Sequence, residues 1–298
     1  MIIDTLVLSG ASTKASTFAG VFRALFKQNV ITPSLEGINH IICCSISMLL
    51  SVYLLLEIDI SIIECCLMEG KFENILNIDD LHINNLFDSY GLFDNEILCS
   101  LIRNLLKEKI NKDDITLQEL YDIKPILLSV KCINISKSCV EYINKDTNPN
   151  LSISKLLKMT TCIPLMFCPV IYNDNYYVDG GLTGSYPVEF VSGNYLGVWV
   201  REKNHNNNKI DNIIDYLCKL TVIKPCNYEL IDDKYTIICT SDLNFIEFNL
   251  SEQQKIELIE SGYNSTIEHI EKYSITNDLL KTPSDLDTGP SEEARNQE

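Results

Sequence analysis

The sequence predicts an α/β fold, a parallel sheet covered by helices, and three observations carry that prediction. A short β-branched and apolar run, "IIDTLVL", ends near Leu8 and gives way to a small polar stretch and then an amphipathic helix. A second apolar run, "INHIICC", turns directly into the apolar helical stretch "SISMLLSVYLLLEI". Strand–loop–helix followed by strand–turn–helix is the pattern of parallel strands joined by helical crossovers. The third observation is size: 298 residues, 46% hydrophobic and 22% charged, are enough to bury one sizeable α/β core.

The elements follow in order. "SGASTKAST" is small and polar and reads as a loop. "TFAGVFRALFKQN" places Phe18, Val21, Phe22 and Leu25 at helical spacing. "DISIIECCLM" and "DNEILCSLIRNLLKEKI" each begin with an Asp suited to an N-cap and continue amphipathically. "PILLSVKCINI" and "CVEYIN" read as strands, "SISKLLKMTTCI" as a helix, and "NYYVDGG" as a strand ending in a tight turn. "YLGVWVR" and "YTIICTS" are further strands. "LSEQQKIELIESGYNSTIEHIEKY" is a long amphipathic helix, expected to break or bend near Gly262. No interdomain linker and no internal repeat interrupts this order. One domain, residues 1–281, is expected, followed by a polar tail, 282–298, whose Pro, Gly and charge point to disorder.

Charge narrows the partners. A formal net charge of -17 argues against nucleic acid and gives no general attraction to an anionic bilayer. The twelve cysteines are scattered, none forms a CxxC pair, and only four histidines are available to complete a metal site. Most of them read as small buried hydrophobes in a reducing compartment. "MIIDTLVLSG" lacks a basic n-region and a small-residue cleavage site, so a cytoplasmic or other intracellular setting, not secretion, is expected. The longest apolar run, Ile41 to Leu56, is short for a membrane span of ~20 residues and contains serines, which suits a strand and a buried helix better.

Three stretches can carry chemistry. At "HIICCSISML" a serine, Ser45, stands on a strand-to-helix corner. There its hydroxyl is exposed at the end of the sheet, the helix N-terminus supplies partial positive charge, and the next N–H can face an oxyanion. The same serine also suits a plain helix N-cap. In "SGASTKAST" successive N–H groups can form an oxyanion cradle, yet only Gly10 supplies the backbone freedom such cradles use, so taken alone the stretch is a poor motif and reads rather as an ordinary capping loop. In "YYVDGGLTGSYPV", Asp179 ends a strand beside two glycines. It can act as a general base or simply open an Asp-Gly hairpin turn.

Taken together and in this order, the three stretches resemble the patatin-like phospholipase family, whose pattern is a GGGxKG loop, a GxSxG elbow and a DGG or DGA turn. "LVLSGASTKASTFAGVFRAL" keeps the family's apolar frame with Lys14 and Gly20 in place. "GLFDNEILCSLIRNLL" followed by "ITLQEL", then "TTCIPLMFCPVIYNDNYYVDGGLTGSYPV" and "LSEQQKIELIESGYNSTIEHI", are similar to its middle helix, its most recognisable region and its last helix. The resemblance extends over roughly residues 1 to 272. It implies a three-layer α/β/α fold with a mostly parallel central sheet. It also implies a Ser-Asp dyad that needs no histidine, with Ser45 as nucleophile and Asp179 as base. The oxyanion donors would be the N–H groups of Gly10, Ala11, Ser12 and Thr13, with Ile46 in addition, and Cys43, Ser47, Gly180, Gly181 and Lys14 would support the turns. The implied reaction is hydrolysis of an acyl ester of a phospholipid or neutral lipid through an acyl-enzyme, at a membrane surface, with no metal and no cofactor. Apolar loops at Leu165–Val170 and Asn85–Phe93 are candidates for interfacial contact, with core packing as the other reading of each.

The departures from the pattern fall at the chemistry. Three loop glycines are replaced, at Ala11, Ser12 and Ala15, and both elbow glycines, at Cys43 and Ser47. A non-glycine residue held in a left-handed backbone costs ~1–2 kcal/mol, so five replacements are expected to shift the loop and elbow. Every replacement is small and keeps its N–H. Ser45 is favoured over Ser47 as the nucleophile, since Ser47 would place the bulky Leu49 two residues beyond it. Two functions therefore stay open: an active Ser-Asp acyl hydrolase, and a weakened or inactive fold of the same kind used in lipid binding or protein interaction.

Overall fold

The computed structural model describes residues 3–69, 83–93, 95–203, 216, 231–243 and 249–275. The expected tail and the Asp94 cap lie outside the described residues. The architecture is mixed α/β around a mostly parallel central sheet. Ten strands are described: β1 Thr5–Leu8, β2 His40–Cys44, β3 Gly91–Phe93, β4 Leu127–Asn134, β5 Cys139–Ile143, β6 Leu165–Phe167, β7 Val170–Tyr172, β8 Asn175–Asp179, β9 Tyr195–Glu202 and β10 Thr236–Ser241. The described helices are α1 Ser16–Lys27, α2 Ser47–Leu55, α3 Ile60–Glu69, α4 Ile83–Asp88, α5 Glu96–Ile110, α6 Leu117–Ile123, α7 Ile153–Thr160 and α8 Glu252–Tyr273.

The main sheet runs β10-β9-β1-β2-β4-β8-β7, with β5 also on β4. The first five strands are mutually parallel. Their apolar residues alternate between two packed faces. Leu6, Leu8, Ile41, Cys43 and Val130 belong to the large core beneath the helices, and Val7, Ile42 and Trp199 pack with Tyr186 and Val188 on the other face. The apolar run from Ile41 divides between β2 and the nine residues of α2, every one of them buried. Among the described residues, no helix is long and apolar enough to cross a membrane.

One strand arranges the site. β4 pairs with β2 over Leu127–Lys131, with β5 over Val130–Asn134 and with β8 over Cys132–Asn134. A strand has two edges, and β5 overlaps both β2 and β8. The parallel β2 and the antiparallel β8 therefore share the other edge and meet there end to end. The residue after β2 is Ser45 and the last residue of β8 is Asp179.

Two expectations change, and one open pair of readings divides. "SGASTKAST" is mostly not loop: Ser12–Ala15 is a 3-10 turn running straight into α1. α8 is one unbroken helix through Gly262. That glycine serves close packing instead of a break: a Cβ on Gly262 would lie 2.1 Å from the Thr17 carbonyl oxygen, and one on Gly20 would lie 1.8 Å from that of Ile259. Helices α1 and α8 thus touch backbone to backbone. Finally, the stretch Leu165–Val170 is largely core, with Met166, Phe167 and Val170 buried, while Phe87 and Tyr90 in the other candidate stretch are exposed. The ten described cysteines are free thiols, six of them buried.

Candidate active site

The strand-to-helix corner is sharp. Ser45 has φ +59°, the left-handed region that costs a non-glycine residue ~1–2 kcal/mol. A hydrogen-bond chain holds it there. Ser45 N–H donates to Thr160 Oγ1 (2.8 Å), and the Thr160 hydroxyl donates to the Lys131 carbonyl (2.9 Å). Because α2 begins only at Ser47 and Ile46 already has helical angles, Ser45 sits just before the helix and is not its N-cap.

Ser45 Oγ donates to Asp179 Oδ2 at 2.6 Å. The other carboxylate oxygen accepts Gly181 N–H at 2.7 Å. Asp179 opens a 3-10 turn, Gly180–Thr183, and no hairpin follows it. Its carboxyl is buried, and burial pushes it up to about 6, against the downward pull of Ser45, Gly181 N–H and the Lys131 charge. Burial wins because removing a charge from water outweighs two hydrogen bonds and one screened cation. The result is a carboxylate that is ionised at neutral pH yet basic enough to hold a proton.

The loop after β1 lies beside the corner: a Cβ on Gly10 would touch Ser45 Cβ at 3.4 Å. Gly10 N–H donates to the Ser185 carbonyl (2.8 Å) and so is engaged away from any oxyanion. Among the described residues, the N–H groups of Ala11, Ser12, Thr13 and Ile46 donate to no loop or turn carbonyl. Lys14 is fully buried, with its ammonium 3.7 Å from Glu202 at the end of β9. That tethers the 3-10 turn to the sheet.

Of the five replaced glycines, only Ser12 has a positive φ, +50°. Ala11 has φ -138° and Ala15 φ -55°. Cys43 is an interior residue of β2, and Ser47 is the first residue of α2. The expected fivefold strain is therefore confined to one position. Ser47 does structural work: its buried hydroxyl accepts Cys44 N–H and lies within donating reach of the Cys44 and Leu8 carbonyls, tying the ends of β1 and β2 together. Gly180 is the opposite case, since a Cβ there would lie 2.5 Å from the Lys131 carbonyl oxygen. An apolar crevice lined by Ala15, Ile46, Leu49, Leu50, Tyr53 and Leu67 adjoins the corner.

Two residues of this site escaped the sequence reading. Thr160 lies on α7 and carries no motif. Lys131 is a lone cation in the apolar run of β4, which is itself a signal, because a charge does not enter a core strand without partners.

A family model described as patatin-like phospholipase matches residues 6–191. The chain is 30% identical over 190 residues to probable lipid hydrolase 463L of Invertebrate iridescent virus 6. That match covers 62% of this chain and 62% of the viral protein, under two thirds of its length. It is also 23% identical over 287 residues to uncharacterized protein R571 of Acanthamoeba polyphaga mimivirus, covering 91% of this chain and 94% of that one. Among solved structures the fold is similar to VipD from Legionella pneumophila, with a TM-score of 0.60 at 15% identity over 92% of this chain and 67% of that one. It is likewise similar to ExoU, in its complex with SpcU from Pseudomonas aeruginosa, with a TM-score of 0.53 at 12% identity over 91% and 52%.

Proposed function

This chain belongs to the patatin-like phospholipase family, and we propose that it is a lipid acyl hydrolase in which Ser45 is the nucleophile and Asp179 its base. The 2.6 Å hydrogen bond from Ser45 Oγ to Asp179 Oδ2 carries this reading, together with the likeness to a relative named as a probable lipid hydrolase. Ser45 Oγ bonds to the ester carbonyl carbon as its proton passes to Asp179. The carbonyl electron pair moves onto oxygen, for which N–H groups among those of Ala11, Ser12, Thr13 and Ile46 would be the donors. The intermediate then collapses, the alcohol leaves with the proton from Asp179, and an acyl-serine remains. Water attacks in turn, giving its proton to Asp179; as the bond from the acyl carbon to Ser45 Oγ breaks, Asp179 returns that proton to Oγ and the fatty acid departs.

One observation favours a weakened enzyme used for binding. Gly10 N–H is bonded to Ser185, and the loss of one required oxyanion donor lowers a rate by ~10²–10³. Fatty-acid release from a p-nitrophenyl ester and from phosphatidylcholine in mixed micelles separates the two. Release by the wild type that disappears in Ser45→Ala supports the hydrolase. A folded wild type that releases nothing, or a Ser45→Ala variant that still does, overturns it.

A further inference from the structure

We infer that Lys131 is a positioning residue that couples the two halves of the dyad, holding the backbone of each and keeping Asp179 ionised. This inference rests on the Ser45–Asp179 reading and adds a third residue to it.

Lys131 is where β2 ends on β4: it pairs with Cys44, and the next residue of β4, Cys132, pairs with Asp179. It therefore stands under the junction of the two strand ends. Its carbonyl accepts the Thr160 hydroxyl, which in turn accepts Ser45 N–H, so the left-handed corner is referred to this one peptide unit. The same carbonyl is what Gly180 packs on, at a distance that admits no side chain. The side chain also packs on Gly180 and reaches along the loop after Asp179. Its ammonium, with the side chain 1% exposed, donates to the Gly184 carbonyl at 2.8 Å and to Glu189 Oε1 at 2.6 Å. Tyr142 OH donates to the same Glu189 oxygen at 2.7 Å. The segment from Asp179 to Glu189 is thus closed on itself through Lys131.

The electrostatics point the same way. Two thiols face Asp179, those of Cys44 and Cys132, and burial pushes both well above their usual range, so both are neutral. The one cation acting on Asp179 among the described groups is Lys131, and it opposes the upward push of burial. Glu189 sits on Lys131 from the solvent side and attenuates that charge. Removing Lys131 leaves burial opposed only by the Ser45 and Gly181 hydrogen bonds, which raises the Asp179 pKa. Removing the Glu189 charge lets Lys131 act more strongly, which lowers it.

The test is a ¹³C NMR titration of the Asp179 carboxyl, assigned with Asp179→Asn, in the full chain and in Lys131→Met, Lys131→Arg and Glu189→Gln, beside the pH profile of ester hydrolysis. Lys131→Met is expected to raise the Asp179 midpoint by up to about one pH unit and so to lower kcat/KM about twofold at pH 7 and about tenfold below pH 6, with the acid limb displaced upward. Lys131→Arg is expected to keep the midpoint near that of the wild type, and Glu189→Gln to move it down. A midpoint unmoved in Lys131→Met overturns the inference. Should Lys131→Met not fold, an unmoved midpoint in Glu189→Gln overturns it instead. The NMR midpoint is independent of turnover: if it moves as stated while the wild type hydrolyses no ester, the hydrolase reading fails and the role of Lys131 stands.

Discussion

The two sides of the site handle glycine in opposite ways. On the nucleophile side, five positions where the family pattern has glycine carry Ala11, Ser12, Ala15, Cys43 and Ser47, and four of the five sit at backbone angles open to any residue. On the base side, Gly180 and Gly181 remain. Gly180 lies against the Lys131 carbonyl, and a Cβ on Gly181 would stand 3.0 Å from Asp179 Oδ1. What decides is space and φ at each position, not membership of a glycine-rich motif. A motif can lose most of its glycines and keep its course when the neighbours leave room. It cannot where another backbone already occupies the space.

This contrast can be broken experimentally, starting with the largest effect. Asp179→Asn is expected to lower ester hydrolysis by about 10⁴-fold, the loss seen when the aspartate of a catalytic triad is removed in other serine hydrolases. The same change should stabilise the fold at alkaline pH. Asp179 is raised from 3.8 to about 6, so the folded protein holds this proton more tightly than the unfolded chain. The stability it contributes is complete below about pH 4 and is lost as pH rises through about 6, by roughly 3 kcal/mol at most. Urea unfolding should therefore show Asp179→Asn gaining on the wild type at pH 8 and the two converging near pH 4.

Next come the glycines themselves. Gly180→Ala should destabilise the fold by up to about 3 kcal/mol through the clash with Lys131. Gly10→Ala, whose Cβ meets only ordinary contacts at 3.4 Å or more, should fall within about 0.5 kcal/mol of wild type. Equal effects at the two sites in thermal melts would erase the distinction. Thr160→Val strands Ser45 N–H and the Lys131 carbonyl together, at a cost of about 1–2 kcal/mol, and should slow hydrolysis more than it lowers Tm. Smallest is Ser12→Gly. It relieves one left-handed residue, partly offset by the extra freedom of the unfolded chain, for a net gain of about 0.5 kcal/mol. The corresponding changes at Ala11 and Cys43 should give no gain.

Much of this was legible in the sequence because it is local. The strand–helix alternation, the corner at Ser45 and the turn after Asp179 each sit within a few residues and follow from apolar spacing and small side chains. The strain estimate was too large because a motif does not show which of its positions need a positive φ; the 3-10 course of Ser12–Ala15 decides that. Thr160 and Lys131 were hidden for a topological reason. Thr160 lies 115 residues from its partner Ser45, and only the sharing of one β4 edge by β2 and β8 brings Thr160, Lys131, Ser45 and Asp179 together. Gly262 misled because a glycine within a helical pattern signals a break when read alone and a close contact when a second helix is present.

Whether Ser45 and Asp179 work as a unit is tested most directly by the rate at which a fluorophosphonate labels the protein as a function of pH, with the adduct located by mass spectrometry. A working pair predicts an adduct on Ser45 that is absent in Ser45→Ala. It also predicts a labelling rate that rises with pH around a midpoint near 6, where Asp179 loses its proton, and a slow, pH-flat rate in Asp179→Asn. An adduct elsewhere, no adduct on a folded protein, or a midpoint that persists in Asp179→Asn would contradict it.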